Sequence, residues 1–226
     1  MNALPMRLHL VLALLGMLAV VPAGAAAVSE SLVFPYQRLY ELKYQFIALP
    51  TDDTSLVQVH LKLQSRRDDL PLLEAWIERG ADKIDLPVDK RHDFLNLPLS
   101  PQLGQENPLV VTNWPRDAAR LKVVFELLRP TGQPHSPQSL LLAMRQANAM
   151  ISARSRLSKE RTPQAVGVTL HAAGEQALEI TLVDAAGNER KLIGDSGSLD
   201  LSAGDLEAST ALTSDTAIDL VLPWFD

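Results

Sequence analysis

Two kinds of residue in this sequence could carry chemistry: a serine set between glycines, and a scattered set of histidines. Ser196 lies in Gly194-Asp195-Ser196-Gly197, and a hydroxyl in such a turn becomes a nucleophile once a neighbouring base removes its proton. His92, followed by Asp93, is a second candidate for acid–base chemistry. The reaction that these residues would support is hydrolysis. The histidines are His9, His60, His92, His135 and His171.

The glycine-rich tetrapeptide resembles the nucleophile motif of chymotrypsin-like serine proteases, and that resemblance implies an all-β fold of similar length. The context departs from that family, because His171 lacks the expected Ala-Ala-His-Cys setting and Ser198 stands where a glycine is expected. Gly-Asp-Ser also opens the esterases with an N-terminal Gly-Asp-Ser block, which need a histidine near their end, whereas no histidine follows His171. The tetrapeptide is therefore interpreted as a turn after a strand. A hydrolase that uses Ser196 or His92 stays as the alternative function.

The sequence predicts no metal site and no cofactor. The histidines form neither a His-Glu-x-x-His nor a His-x-His pair, and His60, among polar residues of a predicted strand, is interpreted as solvated. There is no cysteine, which excludes disulfides, thiolate ligands and a thiol nucleophile. No glycine-rich phosphate or dinucleotide loop occurs. A formal charge of −6 disfavours nucleic acid, because its phosphates select basic surfaces.

Residues 1–27 have the pattern of a secretory signal peptide. Arg7 gives a basic start, residues 8–21 form an apolar run, and residues 23–27 are the small residues that a signal peptidase accepts. The alternative is a membrane anchor, but the run is shorter than the roughly 20 residues that a spanning helix needs. Export without disulfides favours a periplasmic or secreted bacterial protein.

The first half of the remaining chain is predicted to be an antiparallel β-sandwich of residues 28–129 with about six or seven strands. Apolar residues alternate with polar ones at 40–46 and 57–64, the period of a half-buried strand. Residues 72–79 fit either a strand or a short helix, and the strand is favoured. Two hairpins are predicted, 84–88 with 94–97 around the turn 89–93, and 109–112 with 121–127 around the turn 113–117.

The second half is predicted to begin after a proline-rich linker at 130–137 and to form a helix-plus-β domain at 138–226. Ser136 and Pro137 mark a helix start, and a stripe of Leu, Met, Ala and Ile predicts an amphipathic helix over 139–157. Strands are predicted at 166–170, at 178–182 paired with 189–193, and at 218–222, where Pro223 would end the last one. Residues 198–215 are polar, small and acidic. The fold class is mainly β with one amphipathic helix.

The turn at 113–117 gives the candidate binding residues. Trp114, flanked by Asn113 and Arg116, could stack on a sugar ring or anchor a peptide. The alternative is that Trp114 folds back to close one end of the sandwich. The expected function is a non-enzymatic accessory or binding module of the cell envelope, with an envelope protein or a cell-wall glycan as its partner.

The export hypothesis predicts a mature chain that begins at Ala26 or Val28, according to whether cleavage follows Ala25 or Ala27. N-terminal sequencing of the protein from a periplasmic fraction checks this start. A chain that keeps Met1 and stays in washed membranes would instead show that residues 8–21 are an anchor.

Overall fold

The computed structural model describes residues 30–47, 56–158, 162–174 and 176–226. The predicted signal segment at 1–27 lies outside these ranges. Within them, no helix has the length and apolar character that crossing a membrane requires.

The described chain is mainly β, as predicted, with antiparallel sheets. Its first half contains β1 (Ser31–Pro35), α1 (Tyr36–Ile47), β2 (Val57–Ser65), β3 (Ala75–Arg79), β4 (Asp82–Leu86), β5 (Val88–Asp89), β6 (Phe94–Leu95), α2 (Pro101–Glu106), β7 (Leu109–Pro115) and β8 (Ala119–Leu127). Its second half contains α3 (Pro137–Ser158), β9 (Ala165–Ala172), β10 (Glu179–Asp184), β11 (Glu189–Ile193), β12 (Ser198–Ser202), α4 (Ala203–Glu207), β13 (Ser209–Ser214) and β14 (Ile218–Phe225).

The first half is a sandwich of two four-stranded sheets, which confirms the predicted architecture with eight strands in place of six or seven. One sheet has the order β1-β7-β3-β4 and the other the order β5-β6-β2-β8. Alternate residues of both sheets point into a shared apolar core, among them Leu61, Leu63, Ile77 and Val110, all at most 2% exposed. The second half adds two three-stranded sheets, β12-β9-β14 and β11-β10-β13.

The strand predicted at 40–46 is wrong, because these residues belong to helix α1. Tyr36, Leu39 and Phe46 are buried while Tyr44 is exposed. The buried residues are therefore three and seven positions apart, the spacing of one helix face, and not two apart as on a strand. The rings of Tyr40 and Tyr44, 5.2 Å apart between centroids, lie one helical turn apart. Apolar residues at 40, 42, 44 and 46 have the period of a strand, but the burial of Tyr36, Leu39 and Phe46 outweighs this local pattern and selects the helix.

The predicted hairpins are corrected at two points. Residues 84–88 are split at Pro87, so that β4 pairs with β3 in one sheet while the short β5 pairs with β6 across the turn at 89–93 in the other. Strands β7 and β8 do not pair with each other, because β7 lies in the first sheet and β8 in the second. Residues 113–115, predicted as part of the turn, instead continue β7, and the short connection after them passes from one layer of the sandwich to the other.

The strand favoured at 72–79 is confirmed over Ala75–Arg79, which form β3.

The second half matches the prediction at its helix and its hairpin. Ser136 Oγ accepts the backbone N–H of Ser139 at 3.1 Å at the start of α3, and β10 pairs with β11. The polar segment at 198–215 nevertheless forms β12, α4 and β13. Strand β14 also continues through Pro223, which is tolerated because β14 is an edge strand and needs no second row of N–H donors.

Gly167 of β9 lies directly beneath the ring of Trp224 of β14. A Cβ at this position would meet Trp224 Cζ2 at 2.3 Å and the Leu201 carbonyl oxygen at 2.5 Å. These distances are below van der Waals contact, so the absence of a side chain is what lets the three strands approach one another.

The larger apolar core contains residues from both sides of the segment predicted as a linker. It contains Phe125 of β8 together with residues of α3, β9, β10 and β14. The Phe125 ring packs edge-on against Phe46 of α1, 5.2 Å between centroids, and lies 6.2 Å from Phe225 of β14. The division into domains at 28–129 and 138–226 stays a prediction, and the two parts share this core.

We expect Phe125→Ala to destabilise the whole described fold by about 3–5 kcal/mol, the usual cost of truncating a buried aromatic ring. Thermal unfolding followed by near-UV and far-UV circular dichroism should show one transition displaced to lower temperature. Tyr44→Ala, which removes an aromatic ring that is 46% exposed, is the control and should change stability by about 0.5 kcal/mol or less. Two transitions, of which only one is displaced, would show that the halves unfold independently.

Candidate functional site

A groove lies where β8, the edge of the second sandwich sheet, runs beside β14. It consists of three adjoining cavities of about 380, 210 and 330 Å³. The first and second share Glu126 and Asp219, and the second and third share Arg129, His135 and Ile218. We call the whole the junction groove, its first cavity the polar cleft and its third the apolar cavity.

The floor of the polar cleft is built on the outer face of the second sandwich sheet. His60 of β2 stacks on Phe94 of β6, with 4.3 Å between ring centroids and 16° between planes. Its Nε2 lies 2.6 Å from Glu126 Oε2 of β8. Contrary to the sequence interpretation, His60 is only 7% exposed, because the turn at 89–93 and the second half of the chain cover this face.

The turn at 89–93 fixes His92 at the wall of the polar cleft. Asp89 Oδ1 accepts the backbone N–H groups of Arg91 and His92 at 3.0 and 3.3 Å, and its Oδ2 lies 2.7 Å from His92 Nδ1. Burial alone would raise the pKa of Asp89, but the hydrogen bonds from His92 and from the turn's backbone outweigh it and lower the pKa. Asp93 closes the turn with a left-handed φ of 57°.

Arg91 connects the turn to the second half of the chain. Its guanidinium donates to the Asp219 carboxylate of β14 and to the Ala172 carbonyl at the end of β9. His92 Nε2 also lies 3.5 Å from Asp219 Oδ2. The charged groups of the polar cleft are thus largely paired with one another.

The Asp89–His92 pair has the geometry that orients a general base, with a carboxylate on Nδ1 and Nε2 facing the cleft. The residues that line the polar cleft in the described chain include no serine, threonine or cysteine, so no hydroxyl or thiol nucleophile of these three types lies there. No group of three or more histidine, aspartate or glutamate side chains among the described residues is arranged to hold a metal ion.

The apolar cavity has a different lining. Leu212, Ile218, Pro134 and Ala217 supply its aliphatic lining, Thr213, Ser214 and Thr216 add hydroxyl side chains, and Arg129 and His135 supply its basic groups. Nδ1 of His135 is buried and has no hydrogen-bond partner among the described residues.

The charge state of His135 follows from these surroundings. Burial lowers its pKa below the ordinary value, Arg129 acts in the same direction, and Glu126 opposes them. His135 is therefore neutral at pH 7.

Ser196 lies outside the junction groove. It sits in a turn closed by the Ser198 N–H on the Asp195 carbonyl at 3.0 Å, and both Ser196 and Gly197 have positive φ, 50° and 73°. Ser196 and Gly197 are therefore the two central residues of this turn.

The residues proposed for binding at 113–117 take three different environments. Trp114 is 3% exposed in the sandwich core, and its Nε1 donates to the Pro71 carbonyl at 2.7 Å. The side chain of Asn113 accepts the backbone N–H of Glu74 at 2.9 Å and donates to the Leu72 carbonyl at 2.8 Å. Arg116 alone is open, with a side chain that is 79% exposed. Trp114 is thus the packed end of the sandwich, and a binding role for the three residues stays a prediction.

Sequence reasoning identified His92 as a candidate and missed the rest of the groove. Glu126 and Asp219 lie in strands that were predicted, but they are 93 positions apart in the chain, and nothing local shows that β8 and β14 run side by side. His135 belongs to the segment interpreted as a linker, and Arg129 immediately precedes it. The local signal for this part of the groove was His135, a histidine between Pro134 and Pro137.

Trp114→Ala should lower the free energy of unfolding by about 3–5 kcal/mol, because it empties a large site in the core. Trp114→Phe, which keeps an aromatic ring but loses the bond to Pro71, should cost less. Urea unfolding followed by circular dichroism measures both. Arg116→Ala is the exposed control, and its free energy of unfolding is expected within about 0.5 kcal/mol of wild type. A similarly small effect of Trp114→Ala would show that the indole is not buried in the core.

The chain was compared with models of protein families, with curated proteins and with solved structures. None of the three comparisons finds a match. The geometry and charges of the junction groove therefore carry the functional interpretation by themselves.

Proposed function

We propose that the protein is an exported, non-enzymatic binding protein of the bacterial envelope and that its ligand lies in the junction groove. The observation that carries this proposal is the continuity of the groove, in which a polar cleft adjoins an apolar cavity through shared side chains. Ligand sites in proteins combine an apolar wall with a few placed polar groups in this way.

Binding is favoured over catalysis by the state of the polar groups. The carboxylates of Asp89, Glu126 and Asp219 each bond to a basic side chain of the protein itself. These pairs hold the side chains of the polar cleft in place, and none of the three carboxylates is left unpaired to attack a substrate. We interpret the polar cleft as the part that shapes and orients the groove.

Export is supported by the sequence pattern at 1–27, and for an exported chain the absence of cysteine favours a bacterial protein. An interaction with a cell-wall glycan through Trp114 would need an open aromatic face, and the indole is buried. We therefore place ligand binding in the groove, and an envelope protein that docks elsewhere stays a possible partner.

A hydrolase is the second candidate, and the Asp89–His92 geometry is what favours it. The carboxylate fixes the imidazole through Nδ1, so a water molecule at Nε2 could be activated. Ser196 would need a base of its own, and it does not line the groove.

The binding proposal predicts that the neutral dye N-phenyl-1-naphthylamine binds the purified protein at one site, with a rise in fluorescence. Ala217→Trp should abolish this signal, because Ala217 lines the apolar cavity and a bulky ring would fill it. The matched control is Ala211→Trp, at an exposed position of β13 that does not line the groove, and it should bind the dye like wild type.

Two results would contradict the proposal. Equal dye binding by wild type and Ala217→Trp would show that the dye does not use the groove. Stoichiometric modification of Ser196 by a fluorophosphonate would show an activated serine and favour the hydrolase.

A further inference from the structure

The apolar cavity has a polar side whose groups are not all paired within the protein. Ser214 Oγ donates to the Thr216 carbonyl at 2.6 Å, so this hydroxyl is already used. His135 Nδ1 has no partner among the described residues. A buried polar atom without a hydrogen bond costs stability, and a ligand atom at that position would remove the cost.

Arg129 gives the same side of the cavity a positive charge. It lines both the second cavity and the apolar cavity, and it forms no ion pair with a carboxylate in the described part of the chain. The nearby acids are engaged elsewhere, Glu126 with His60 and Asp219 with Arg91. An anionic group on a ligand would therefore find an available guanidinium.

Four aliphatic side chains line the same cavity. Leu212 of β13 is 9% exposed, Ile218 of β14 is half-buried, and Pro134 and Ala217 complete this aliphatic lining. The volume of about 330 Å³ is at the lower end of the range for ligand sites. A short hydrocarbon chain suits these four side chains better than a sugar, whose hydroxyls would be left without partners wherever they faced them and not Thr213, Ser214 or Thr216.

From these three observations we infer that the ligand of the apolar cavity is an amphiphile with a single carboxylate, its head group between Arg129 and His135 and its chain against Leu212 and Ile218. The inference rests on the proposed function and names the chemistry of its ligand. Arg129 would bind the carboxylate by charge-assisted hydrogen bonds. A neutral imidazole carries one N–H, and the carboxylate would hold that proton on Nδ1 of His135.

The test compares three ten-carbon compounds that differ only in their head group: decanoate, decanol and decylamine. Each displaces bound N-phenyl-1-naphthylamine at pH 7.5 and below micelle-forming concentrations. Decanoate should displace the dye at a concentration at least tenfold lower than decanol, because a hydrogen bond to a charged group is worth that much. Decylamine should be the weakest of the three.

Three variants connect the preference to the residues. Arg129→Gln should reduce the advantage of decanoate over decanol about tenfold or more, whereas Arg120→Gln, at an exposed position of β8, should leave it unchanged. His135→Phe removes the donor while keeping a flat aromatic ring, and it should weaken decanoate binding about three- to tenfold. Nδ1 of His135 makes no hydrogen bond among the described residues, so removing it breaks none and the variant is expected to fold.

A direct measurement makes the result independent of the dye. Titration of ¹⁵N-labelled protein with decanoate should shift the Nδ1 resonance of His135, and decanol should not. Equal affinities for decanoate and decanol, or a preference for decylamine, would overturn the inference while leaving the groove as a binding site. Absence of both dye binding and a decanoate-dependent shift would overturn the proposed function as well.

Discussion

The pairing of β2 with β8 is the interaction on which the rest of the structure depends. The two nine-residue strands are hydrogen bonded over their whole length, from Val57 opposite Leu127 to Ser65 opposite Ala119. Leu61 and Leu63 at one end of this ribbon belong to the sandwich core, while Val57 and Val59 at the other end belong to the core formed with α3 and the second half. One pair of strands thus contributes to both apolar cores, and a register error of one residue would turn both sets of side chains outward.

The outer surface of the same ribbon explains where the groove lies. His60 and Glu126 occupy its polar face, and the edge of β8 runs beside the edge of β14 without becoming part of the same sheet. Two sheet edges that approach but do not pair leave space between them. The contacts of Arg91 with Asp219 and Ala172 connect the two sides of that space.

The sequence predicted elements well where the residue pattern had a single interpretation. The amphipathic stripe of α3, with Ser136 as its cap, and the Gly-Asn turn between β10 and β11 left little choice of structure. The prediction for residues 40–46 failed because a strand-like alternation was overridden by packing: Tyr36 and Leu39, which precede the window, are buried together with Phe46 on helix α1. The hairpin predicted around 113–117 was wrong because residues 113–115 continue β7, and a connection that changes sheets has the same local composition as a hairpin turn. Trp114 was predicted to be either exposed or packed, and its place in β7, facing the core between the two sheets, is what buries it.

The contact between Gly167 and Trp224 has a consequence for how this fold can diverge. Since a Cβ at 167 would collide with both the indole and the Leu201 backbone, the two positions are not free to vary independently. A homologous chain with alanine or a larger residue at 167 would need a smaller side chain at 224 and a wider separation of β9 from β12. Covariation between these positions, 57 residues apart in the chain, is therefore expected among homologous chains that keep the contact between β9 and β14.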